Sequence, residues 1–295
     1  MAVKLLETLR IRAASAVRRQ RARVGRADRP ARLDLRLDDF DADGVAAGAA
    51  LGAEAWQERI VELLLWAGAM PVRIVARADH ALLADTVRFC HRLEMPVTVR
   101  TGPEGLGEDR AAELIDRGMA RCEVVVNGLD EGAEAALRAL VHGRNSRAAS
   151  LTVHLHLVVD ERSAPHAAGA FERARSLGVD AVVLAAPMKP AALSPSAKAG
   201  VAAALAVGWP LQATSPVAAE ALARLDGAGP GAPRSSGKCN LGGLRLALGP
   251  DGVGYICPFK PGRASGPLSE ASESLAAHRD AIRRCDRHCG HPELV

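Results

Sequence analysis

The sequence predicts an α/β fold built as a partial barrel, and three observations carry that reading. Six short β-branched or apolar runs recur at barrel-like intervals, helical stretches alternate with them, and Gly or Pro punctuates most junctions. Alternation of strand and helix implies a parallel sheet, and six such units make a (βα)6 partial barrel.

The expected strands are Leu33 to Leu37, Val72 to Ala76, Val97 to Thr101, Glu123 to Asn127, Leu151 to Val158 and Ala181 to Leu184. The expected helices are Ala55 to Trp66, His80 to Leu93, Glu108 to Arg117, Gly132 to Leu140, Gly169 to Leu177 and Lys198 to Val207. The strands read as nearly continuous hydrophobic runs, as expected when helices cover one face and a filled barrel interior the other. Cys90 and Cys122 sit inside apolar patterns, where a free cysteine behaves as a small hydrophobe.

Residues 226 to 238 form a Gly/Pro/Ser linker, so the chain divides into an N-terminal extension (1–31), a barrel (32–225), the linker (226–238) and a tail (239–295). Residues 1 to 32 carry ten Lys or Arg against Glu7 and Asp28, a net of +8 in a chain of net +4, which leaves about −4 for the remainder. Leu5, Leu9, Ala13, Val17 and Val24 fall near one helical stripe, so this start is a basic amphipathic helix, either a docking arm or a solvated helix along the barrel. Three Trp, one Tyr and four Phe argue against stacking-based nucleic-acid recognition. No apolar run reaches membrane-spanning length and the basic start lacks a signal peptide's apolar stretch, so a soluble, cytoplasmic protein is expected.

The tail carries Cys239, Cys257, Cys285 and Cys289. Thiolates so close in sequence repel unless a disulfide or a soft cation holds them, and a cytosolic chain has little access to stable disulfides. An iron-sulfur cluster, a structural zinc and unligated thiols are the three readings of that set. Leu241 to Ile256 has hairpin grammar, with Asp251-Gly252 as a two-residue turn signal, which returns the second thiolate toward the first. Gly266 to Leu275 is expected to open a helix ending near Arg284 that delivers Cys285 and Cys289 one turn apart.

With twelve residues between Cys239 and Gly252 and four between Gly252 and Cys257, the tail resembles the twitch/SPASM extension of radical S-adenosylmethionine (SAM) enzymes. The resemblance implies that these two cysteines, with Cys285 and Cys289, hold one auxiliary [4Fe-4S] cluster. The second pair is separated by three residues where two are more usual in that family, with His288 and His291 as alternative ligands. It also implies that the partial barrel is the radical-SAM core.

The chain departs from that family at the cofactor site. Radical SAM enzymes carry Cys-x3-Cys-x2-Cys after the first strand, whereas this chain reads Leu37-Asp-Asp-Phe-Asp-Ala-Asp-Gly44. In place of the Gly-Gly-Glu-Pro after strand two stands Ala76-Arg-Ala-Asp-His80. No SAM-binding cluster is therefore expected, and the chain reads as a degenerate member without independent radical chemistry. Asp39, Asp41, Asp43 and Gly44 copy the first half of a calcium-binding loop, but Ala50 stands where the closing Glu belongs, which favours a solvated acidic loop.

At the C-terminal ends of the strands, where barrels carry chemistry, stand Arg77, Asp79, His80, Arg100, Asn127 and Lys189, and on strand five His154 and His156 share one face with Thr152. Arg77, Arg100 and Lys189 suit an anionic group. The histidines are either lumen ligands or hydrogen-bonded residues of a covered face. Two function classes follow: an iron-sulfur accessory protein partnered with an intact radical SAM enzyme or a peptide substrate in natural-product modification, or a zinc-stapled barrel that acts on or binds an anionic small molecule.

Overall fold

The computed structural model of the chain describes residues 32–40, 49–185, 194–206, 245–255 and 264–267. Six strands, β1 (Arg32–Arg36), β2 (Val72–Val75), β3 (Val97–Thr101), β4 (Met119–Val126), β5 (Thr152–Val158) and β6 (Ala181–Ala185), alternate with helices α1 (Ala53–Ala67), α2 (Leu83–Arg92), α3 (Glu108–Asp116), α4 (Glu131–Ser146), α5 (Ala167–Ser176) and α6 (Pro195–Ala206). Three further strands follow, β7 (Arg245–Leu248), β8 (Val253–Tyr255) and β9 (Ala264–Pro267).

The sheet order is β6-β5-β4-β3-β2-β1-β7-β8-β9. Strands β1 to β6 pair in parallel in chain order, β7 adds in parallel to the free side of β1, and β8 and β9 continue antiparallel. The expected α/β architecture with six consecutive parallel strands is present, and the sheet stays open among the described residues.

One face of the sheet is apolar because alternate residues of every strand point to it. Leu33, Leu35, Ile74, Val99, Val124 and Leu155 are fully buried there against Trp56, Ile60, Leu83, Leu114, Leu137 and Phe171 of the helices. Cys90 on α2 and Cys122 on β4 belong to this core, and burial pushes the Cys90 thiol up to about 12. Burial raises the Cys122 thiol as well, with the adjacent Glu123 charge adding to it.

Element ends depart from the sequence reading where local contacts decide. Strand β4 begins four residues before the expected Glu123, because the Arg121 row pairs with both neighbours although nothing in Met119–Arg121 is β-branched. Helix α4 runs on to Ser146, its start capped by the Asp130 carboxylate, which accepts from the Ala133 N–H at 2.8 Å. Helix α2 starts at Leu83 rather than His80, since residues 80–82 form a turn in which His80 Nδ1 accepts the Leu82 N–H at 3.3 Å.

The hairpin is present as β7 and β8, with a different turn. The Gly252 N–H donates to Gly249 O at 2.9 Å and Gly249 N–H to Val253 O at 2.9 Å, so the connection is a four-residue loop with Pro250 and Asp251 at its corners. Gly252 closes it at φ 73°, the left-handed conformation that favours glycine. The Leu51 N–H donates to Pro250 O at 2.8 Å, tying this loop to the entry of α1. Gly266 and Pro267 lie in β9, which overturns the expected helix start at Gly266: Gly254 pairs with Gly266 and Val253 with Pro267 across the sheet. No helix among the described residues is long and apolar enough to cross a membrane.

Candidate functional site on the charged sheet face

The face opposite the helices is charged, which corrects the expectation of nearly continuous hydrophobic strands. Register places the rows. Asp34 lies beside Arg73 and Arg73 beside Thr98, while Arg121 neighbours Thr152. One step along, Arg36, Val75, Arg100, Glu123, His154 and Ala181 form a continuous row across β1 to β6. Beyond it Val125, His156 and Val183 are in line.

Packing joins the charges into one network. Arg32 Nε lies 2.9 Å from Asp34 Oδ1, and Arg73 Nη2 donates to Asp34 Oδ2 at 2.8 Å. Arg73 Nη1 reaches Glu123 Oε2 at 3.5 Å and Arg100 Nη1 reaches the same oxygen at 3.4 Å, so one carboxylate sits between two guanidinium groups. Arg100 Nη1 is also 2.9 Å from His156 Nδ1. A guanidinium only donates, so Nδ1 accepts and His156 is the neutral Nε2–H tautomer. Its Nε2 faces Glu123 Oε2 at 3.9 Å, beyond hydrogen-bond range. Arg73, Arg100 and Glu123 are 5%, 3% and 5% exposed, and charges so deep persist only when paired.

Of the residues singled out from sequence, the fold brings Arg100, His154 and His156 to this wall. Asp34, Arg36, Arg73 and Glu123 were missed. Their signal is the charged residue at every second position within apolar runs, as in Leu33-Asp34-Leu35-Arg36-Leu37 and Cys122-Glu123-Val124.

Arg77, Asp79 and His80 lie instead on the loop after β2. The Arg77 N–H donates to Asp38 Oδ2 at 2.8 Å, its guanidinium pairs with Asp39, and both Arg77 and Asp39 are exposed. Asp79 is exposed, and the His80 carbonyl accepts from Arg110 Nη2 at 2.9 Å. Asn127 is exposed at the end of β4. Lys189 and the four cysteines Cys239, Cys257, Cys285 and Cys289 lie outside the described residues.

His154 is half-buried on the charged face, and its side chain makes no hydrogen bond among the described residues. Burial, and then the Arg121 charge, hold its pKa below the ordinary 6.5. The unfolded chain therefore binds a proton more readily than the native one just below pH 6.5, so stability should fall as pH drops through that value and level off below the native pKa. His154→Gln should flatten this part of a stability-against-pH curve measured by urea unfolding.

The fold is shared with the Streptococcus suis protein SuiB. The structure of SuiB bound to S-adenosylmethionine superposes with a TM-score of 0.54 at 12% identity, over 78% of this chain and 58% of that one. A second SuiB structure gives the same score at 11% identity, over 78% and 60%. The chain thus spans under two thirds of SuiB, and at this identity the likeness is one of fold. A Burkholderia cenocepacia protein described as a phosphonomutase reaches a TM-score of only 0.40, at 17% identity over 76% of this chain and 89% of that one. No family model and no curated protein matches the sequence.

Proposed function

We propose that this chain is a radical-SAM-like barrel without a SAM-cleaving cluster of its own, working as the partner subunit of an intact radical SAM enzyme in the modification of a ribosomal peptide or another natural product. The observation that carries the reading is the loop after β1. Where the family places three thiolates, Asp38 accepts the N–H groups of Arg77 and Phe40, each at 2.8 Å, and Asp39 pairs with the Arg77 guanidinium. Carboxylates engaged in this way are hard donors that do not fit an iron-sulfur cluster, and the segment from Leu37 to Gly44 contains no cysteine. No step through such a cluster is assigned to this chain.

In this reading Cys239, Cys257, Cys285 and Cys289 hold an auxiliary [4Fe-4S] cluster, for which four thiolates are a fitting donor set, and the barrel lumen grips the substrate. The cluster would supply electron transfer, and the barrel residues would bind and orient.

Two measurements on the anaerobically purified full chain test the proposal. About four irons and four sulfides per chain, lost in the Cys285→Ala/Cys289→Ala variant, are expected. About one zinc with no sulfide would replace the cluster by a structural staple. With reductant and SAM the chain alone should form no 5′-deoxyadenosine above the blank, and its formation would overturn the partner role.

A further inference from the structure

We propose that helix α6 and the edge strand β6 form a docking surface for a second copy of this chain, which sets its own β6 against the open edge and its own α6 against the apolar helix face. The inference stands apart from the cysteine tail and from the charged face of the sheet.

The helix supplies the first observation. Ala199, Ala202, Ala203 and Ala206 of α6 are exposed, while Ala197, Val201 and Ala204 on its opposite side are buried. The close pass of Gly200 over the backbone of the Ala164–His166 turn fixes that orientation. Lys198, half-buried, is the one charged residue of this helix. Each of the helices α1 to α5 turns charged side chains to water, such as Glu58, Arg88, Glu108, Arg138 and Glu172. A helix that is apolar all round normally lies inside a protein rather than on its surface.

The sheet supplies the second. Among the described residues β6 pairs with β5 alone, and Ala181-Val-Val-Leu-Ala185 holds none of the charges or prolines that keep an edge from pairing. The opposite edge, β9, ends on Gly266-Pro267, and a proline has no N–H to offer a further strand. Leu184 of β6 packs on the Ala197 and Val201 cluster, so the helix and the edge are neighbours in one surface.

The absence of charge selects the occupant. A two-fold interface lays a patch on its own copy, so a charge near the centre meets its like. The exposed face of α6 and the edge of β6 carry none, and alanine gives up no rotamer freedom on burial. Antiparallel pairing of β6 with its copy satisfies backbone groups on both chains and carries the sheet from one copy into the other.

Light scattering on the full-length protein over about a hundredfold dilution tests this, and a dimer is expected. Ala203→Glu and Ala202→Lys place a charge in the interface at exposed positions, with residues that favour helix, so the circular dichroism of the fold should be kept. Each should raise the dimer dissociation constant about tenfold or more. Ala135→Glu, at an exposed position of α4, should leave it unchanged. A monomer at every concentration, or a dimer unaltered in both α6 variants, would overturn the proposal. Ala202→Lys decides alone if Ala203→Glu fails to fold. Hydrogen exchange at equal protein concentration reads the strands: the β6 amides should be better protected in the wild type than in Ala203→Glu, and equal protection would overturn the pairing of β6 with its copy.

Discussion

Glu123→Ala is expected to lower stability by about 3–5 kcal/mol, a large share of the roughly 5–15 kcal/mol that holds a typical domain together. Its carboxylate is the counter-charge shared by Arg73 at 3.5 Å and Arg100 at 3.4 Å, and all three side chains are nearly inaccessible to water. Removing it takes the shared counter-charge from two buried guanidinium groups, Arg73 beside Asp34 and Arg100 beside the neutral His156 ring. Urea unfolding followed by circular dichroism reads the loss. The double variant Glu123→Leu/Arg100→Met removes charge on both sides, so it should be less destabilised than Glu123→Ala. If Glu123→Ala unfolds at the wild-type urea concentration, the network is not what holds the charged face of the sheet together.

Gly200→Ala should cost about 1–3 kcal/mol, although alanine is the better helix former. Helix α6 crosses the 3-10 turn Ala164–His166 so closely that a Cβ at Gly200 would lie 2.2 Å from Ala164 O and 2.7 Å from Pro165 Cα. Those are backbone atoms and cannot rotate away, so α6 has to lift off. That would open the small cluster of Val159, Ala164, Ala197 and Val201. Gly169 on α5 is the internal control. A Cβ there meets nothing within 4 Å, and Gly169→Ala should stabilise by about 0.5–1 kcal/mol. Opposite signs for the same substitution in two helices would isolate the close approach from helix propensity.

The histidines on β5 illustrate how far the site could be read from the sequence. Spacing by two places His154 and His156 on one face, and they do share it. Their different environments follow from register. His156 reaches across to Arg100, 56 residues earlier, while His154 sits beside Glu123 and Ala181 at the accessible edge. The loop residues Arg77, Asp79 and His80 looked equivalent to Arg100 as strand-end polar groups. Arg77 is instead drawn to Asp38 and Asp39, and His80 closes a turn, because their loop folds onto the loop after β1.

The sequence by itself determined the alternation of six strands and six helices, the core role of Cys90 and Cys122 and the hairpin before the chain's end, since periodicity and turn residues are local properties of the chain. It also determined the absence of thiolates in the loop after β1. Only the tertiary structure decided that β7 joins the free side of β1, that Gly266 and Pro267 belong to a strand, and that five separate strands pool their charges into one buried network. Those outcomes depend on pairing register between segments tens of residues apart. Each buried charge is stable only beside a partner that the chain's folding supplies.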